Sequence, residues 1–122
     1  MFALFLKFIA VASGGACGAA LRYAIGLMPN PLPVPFPLWT FVVNFLGAIF
    51  IGFIVGHQSK LGQYSTLALK TGFCGGFTTF STFSNETLEL IDKEHYLLAS
   101  LYALGSLLAC LLGVFLGRKL AS

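Results

Sequence analysis

The chain has 122 residues, 57% of them hydrophobic and 9% charged, with a mean hydropathy of +0.90. That balance excludes an ordinary soluble domain and places the chain among membrane proteins, as a single domain with no room for a second. Its net charge of +3 comes from seven basic and four acidic residues. The basic ones are scattered rather than clustered, which argues against a nucleic-acid partner.

The first predicted span covers about residues 3–28, apolar apart from Lys7 and Arg22, and is long enough to cross roughly 30 Å of hydrocarbon. Lys7 ahead of an apolar run, with small residues from Gly14 to Ala20, also fits a signal peptide. However, the run continues past any cleavage point and three more spans follow. Gly14 and Gly18, and Gly15 and Ala19, stand four apart, the spacing that lets helix backbones approach closely in lipid. Arg22 has two readings: it snorkels to the near interface, or it makes an electropositive vestibule for anions.

Pro29 to Pro37 holds all five prolines and is predicted as an ordered turn. The second span, about 38–57, carries no charge, and its one strongly polar side chain is Asn44, about 9 Å inside the helix start. Its amide either makes a structural bond to another helix or points an N–H at a permeating anion. Ala48, Gly52 and Gly56 add a close-packing stripe.

His57 to Ser65 is predicted as a short polar loop, with His57 an interfacial residue rather than a ligand. The third span, about 66–91, contains the stretch that does not read as a plain lipid-facing helix. Between Lys70 and Glu86 stand three glycines, four phenylalanines and six hydroxyl side chains, five of them after the glycines. Gly75 and Gly76 are expected to weaken the helix, giving a break near Gly75 to Thr79 whose freed backbone groups the hydroxyls can bond. Such backbone survives at membrane depth only when buried in protein or lining a wet cavity. All four acids follow, from Glu86 to Glu94, as a solvated helix end and loop.

The fourth span, about 96–118, has Gly105, Ala109, Gly113 and Gly117 as a continuous small-residue face, with Tyr102 and Ser106 four apart as candidates for a polar track. The three cysteines lie far apart in apolar segments and are read as buried small hydrophobes, with no disulfide framework or zinc site. Four spans put both termini on one side. Lys7, Lys60, Lys70, Arg118 and Lys119 fall there, against Arg22 and Lys93 opposite, which leans toward cytoplasmic termini.

The third span combines groups that present positive charge without carrying it: hydroxyl and amide hydrogens, helix-start N–H groups and ring edges. In a helix restarting near Thr79, Phe80 and Phe83 share one face, with Thr78, Ser81, Thr82 and Asn85 beside it. These suit a small anion, whereas freed carbonyls suit a hard cation such as Na⁺. One four-helix chain is too small to enclose a lined pathway, so a homo-oligomer is expected. A small proton-coupled multidrug exporter has the same size, but no Asp or Glu occurs before Glu86. A structural membrane subunit leaves the phenylalanine and hydroxyl pattern unexplained. An enzyme lacks any nucleophile–base pair or ligand cluster.

Three segments, GGACGAALRY at Gly14 to Tyr23, FVVNFLGAIFIG at Phe41 to Gly52 and GFCGGFTTFSTFSNE at Gly72 to Glu86, resemble the Fluc (CrcB) fluoride channel family. The resemblance implies an all-α, antiparallel, dual-topology homodimer of four-helix subunits in the bacterial inner membrane. Such a protein has two pathways through which fluoride leaves the cytoplasm passively. It further implies that Phe80, Phe83 and Asn44 line the fluoride pathway, with Arg22 near its vestibule and Ser81, Thr82, Glu86 and Tyr102 as polar neighbours. Gly75 and Thr78 are implied as carbonyl donors to a structural Na⁺ on the two-fold axis.

Overall fold

The computed structural model describes all 122 residues and is entirely helical. Three helices are long and apolar enough to cross a membrane: α1 (Phe2–Gly26), α2 (Leu38–Gly56) and α6 (Tyr96–Ala121). The third segment is built in pieces. It begins as α3 (Gln63–Thr66), continues as a π-helix (Leu67–Cys74) and α4 (Gly75–Phe77), breaks, and restarts as α5 (Phe80–Asp92). A short 3₁₀ turn, Gln58–Lys60, precedes it. The third segment therefore starts at Gln63, three residues before the expected start.

The expected break exists, but not where the glycines are. Gly75 has helical backbone (φ −63°, ψ −38°), and the chain leaves the helix at Thr78 (φ −88°, ψ 158°) and Thr79 (φ −148°, ψ 122°). The neighbouring glycines act in packing instead. A methyl group on Gly76 or Gly72 would strike the backbone of α1 at Gly15 or Val11, and one on Gly14 or Gly18 would strike the third segment. These four positions let α1 and the third segment lie side by side, running in the same direction.

α2 packs chiefly along α6, where Gly52, Gly113 and Gly117 bring the two backbones together. The small-residue face of α6 is not used throughout, because a methyl on Gly105 would meet nothing. The break passes the chain from one pair of helices to the other: α4 lies against α1, and α5 lies against α6. Leu90, Ala99 and Tyr102 form a buried cluster there, flanked by Phe36, Phe41 and Phe83.

The proline segment is ordered, as expected. Asn30 holds it from both sides, donating to the Phe36 carbonyl (2.8 Å) and accepting from Leu32 N–H (3.0 Å), while the Trp39 indole donates to the Pro29 carbonyl (3.2 Å). Phe36 is thereby directed inward onto the ring of Tyr102, 5.3 Å away and edge-on. The expectation of three buried cysteines needs correction: Cys74 is buried and Cys110 half-buried, but Cys17 lies on the exposed face of α1.

Candidate functional site

The break is held open by three side chains from three directions. Asn44 on α2 binds both backbone groups of Thr79: its Oδ1 accepts from Thr79 N–H at 2.8 Å, and its Nδ2 donates to the Thr79 carbonyl at 3.1 Å. Arg22, near the end of α1, donates from Nε to the Gly76 carbonyl at 3.0 Å. Thr78 bends its own hydroxyl back to the Cys74 carbonyl at 2.8 Å. Thr79 then caps the restarted helix, its Oγ1 accepting from Thr82 N–H at 3.2 Å.

Asn44 thus makes the structural interhelical bond, with one amide hydrogen left over. Arg22 neither snorkels freely nor stands alone. Half-buried, it satisfies a carbonyl that the break removed from the helix ladder, and it lines a cavity of about 210 Å³ with Tyr23, Trp39, Thr40, Thr79 and Thr82. Its charge therefore faces the mouth of the broken segment.

No side chain and no backbone group outside the helix ladders donates to the carbonyls of Gly75 and Thr78. The N–H groups that would have reached them belong to Thr79 and Thr82, and both are taken by side chains. Space beside Gly75 is open. Such carbonyl oxygens are the donor type that a hard monovalent cation needs, but two are too few for a full shell. A site of this kind requires further oxygens from outside the chain. No group of three or more His, Cys, Asp or Glu side chains offers an alternative metal centre.

Beyond the break the rings line up. Phe80 and Phe83 have centroids 5.6 Å apart, and Phe83 stands 5.1 Å from Tyr102. Phe80 is 80% exposed within the single chain, while Phe83 is half-buried. Ser81 and Thr82 are exposed beside them, Ser81 Oγ lying 3.4 Å from Thr79 Oγ1. Tyr102 is fully buried, and its hydroxyl donates to Glu86 Oε1 at 3.4 Å. Glu86 is accordingly half-buried against α6, and the reading of it as part of a solvated end is corrected. The hydroxyl of Ser106, one turn beyond Tyr102, is buried without a partner.

The structure therefore brings Arg22, Asn44, Gly75 and Thr78 together at the break, and Phe80, Ser81, Thr82, Phe83, Glu86 and Tyr102 just past it. Sequence reasoning missed Thr40, which lines the cavity beside Arg22, Thr79 and Thr82. Its spacing of four from Asn44 on α2 was the available signal. It also missed Phe36, which reaches the site from a turn.

The chain is matched over residues 9–118 by the model of the family described as CrcB-like protein, Camphor Resistance (CrcB). It is similar to a protein named fluoride-specific ion channel FluC in Elusimicrobium minutum, at 42% identity over 120 residues, covering 97% of this chain and 95% of that one. A protein of the same name in Helicobacter pylori strain J99 is 43% identical over 122 residues, covering 95% and 93%. Another in Pasteurella multocida is 41% identical over 119 residues, covering 92% and 93%. With a match of that length to the family model and relatives alike from end to end, this chain belongs to the CrcB family of membrane proteins.

Proposed function

We propose that this protein is a fluoride-specific channel of the bacterial inner membrane, through which fluoride leaves the cytoplasm passively so that its cellular concentration falls. The observation that carries the reading is the end-to-end likeness to three proteins named as fluoride-specific ion channels. They are channels rather than enzymes, and this chain is read in the same way.

The geometry supports a pathway beside the restarted helix. Arg22 raises the local anion concentration at the mouth without entering an ion pair. Asn44 keeps one amide hydrogen free for an ion after binding Thr79. Phe80 and Phe83 present ring edges, whose positive quadrupole favours a small, strongly hydrated anion that has lost part of its water. Ser81, Thr82 and Tyr102 supply hydroxyl hydrogens along the way, with Glu86 orienting Tyr102.

Phe80 is too exposed for one chain to enclose such a path, which favours a homodimer. An antiparallel arrangement of two copies brings two sets of Gly75 and Thr78 carbonyls toward one axis, where a Na⁺ ion would tie the two breaks together. In this reading the ion is structural and the fluoride paths run beside it. A growth assay tests the function: cells stripped of their own fluoride export and expressing this chain should tolerate fluoride that stops the parent strain. Equal sensitivity, with the protein confirmed in the membrane, would count against it.

A further inference from the structure

The sequence places two lysines, Lys7 and Lys70, inside helices of a protein otherwise sparing of charge. Lys7 lies about 8 Å from the start of α1, and Lys70 about 10 Å from the start of the third segment, by the helical rise. Because those two helices run in the same direction, both lysines come to the same end of the bundle. They line one cavity of about 380 Å³, together with Gln58 of the 3₁₀ turn, Gln63, Thr66 and Thr71. Both are half-buried. No acidic side chain lines the cavity, and all four acids of the chain lie between Glu86 and Glu94, toward the opposite end. Two half-buried lysines therefore face one polar cleft with no acid to balance them. A protein keeps such a pair only at a cost unless an anion completes it.

The cleft is far wider than a monatomic anion needs, and it is separate from the break that Arg22 and Asn44 hold. Its depth, about a turn and a half inside the helix ends, is where lipid headgroups meet their acyl chains. Near Lys7 in sequence, α1 exposes Leu4, Phe5 and Phe8 at 55%, 58% and 67%, an apolar surface of the kind acyl chains cover. Basic pockets between membrane helices bind anionic headgroups by this combination. We propose that the Lys7–Lys70 cleft is a binding site for the phosphate headgroup of an anionic phospholipid. The ammonium groups of Lys7 and Lys70 contact the phosphate oxygens, and Gln58, Gln63 and Thr71 bond the polar remainder of the headgroup.

Native mass spectrometry of the purified protein, titrated with phosphatidylglycerol and separately with phosphatidylcholine, tests the site without relying on channel activity. Wild type should retain phosphatidylglycerol in preference to phosphatidylcholine. Lys7→Gln with Lys70→Gln should weaken that binding roughly thirtyfold, Lys7→Arg with Lys70→Arg should keep it, and Lys93→Gln, at the far loop, should leave it unchanged. The proposal is overturned by equal retention of the two lipids on wild type, by undiminished binding to the glutamine pair, or by millimolar inorganic phosphate displacing the lipid. Should the glutamine pair not fold, the comparison of the two lipids on wild type and on the arginine pair still decides.

Discussion

Asn44 holds Thr79 by both its N–H and its C=O, so one side chain of α2 replaces two backbone bonds that the third segment gives up. The break is thus a tertiary feature imposed from a neighbouring helix. Asn44→Asp keeps the acceptor but sets a carboxylate against the Thr79 carbonyl and against any passing anion. It should abolish fluoride flux and lower stability by about 2 kcal/mol, measured by efflux and by unfolding in detergent. Normal flux in a stable variant would mean that Asn44 has no part in the pathway.

Gly75 and Gly76 are neighbours with opposite surroundings. Gly76→Ala forces a methyl into the Gly15 backbone and should cost about 2 kcal/mol or more of the single chain's stability. Gly75→Ala meets nothing within the chain, so it should leave the fold intact while reducing the fraction of particles that hold two copies, as weighed in detergent. A fully active, monomeric wild type would remove the basis for the two-fold cation.

Much of this was legible in the residues. The bounds of α2, the ordered proline turn and the existence of a break all follow from local chemistry: an uncharged run, five prolines, hydroxyls after a glycine pair. The break falls inside the expected stretch Gly75 to Thr79, but which residues of it leave the helix was not legible, because that depends on where Asn44 and Arg22 reach in space. Glycine spacing announces close approach, but it does not say which glycine meets a helix of its own chain, as Gly76 does, and which meets nothing, as Gly75 and Gly105 do. The π-helical stretch Leu67–Cys74 had no local marker for the same reason.

Glu94 is the one non-glycine residue with positive φ, 61°, at the turn that ends α5. His95 N–H returns to the Leu90 carbonyl at 2.8 Å and Glu94 N–H to Ile91 at 2.9 Å, a left-handed helix stop that glycine makes without strain. Glu94→Gly should raise stability by about 1 kcal/mol, read as a higher unfolding midpoint, with flux unchanged.

Phe80 and Phe83 separate packing from ion contact. Phe83 packs on Tyr102, so Phe83→Ile should cost about 1 kcal/mol, whereas exposed Phe80→Ile should cost the single chain almost nothing. Both should nevertheless stop fluoride, since an aliphatic side chain offers no positive edge to a partly dehydrated anion. Intact Phe80→Ile and Phe83→Ile proteins that both carry wild-type fluoride flux would remove the rings from the pathway.

The central claim is that this chain conducts fluoride and discriminates against the commoner halide. Purified wild-type protein in liposomes loaded with potassium fluoride and potassium chloride, with a potassium carrier added to release the voltage, tests it most directly. Ion-selective electrodes should record rapid loss of fluoride while chloride stays inside. Retention of both ions by liposomes shown to contain folded protein, or release of chloride as fast as fluoride, would contradict the account.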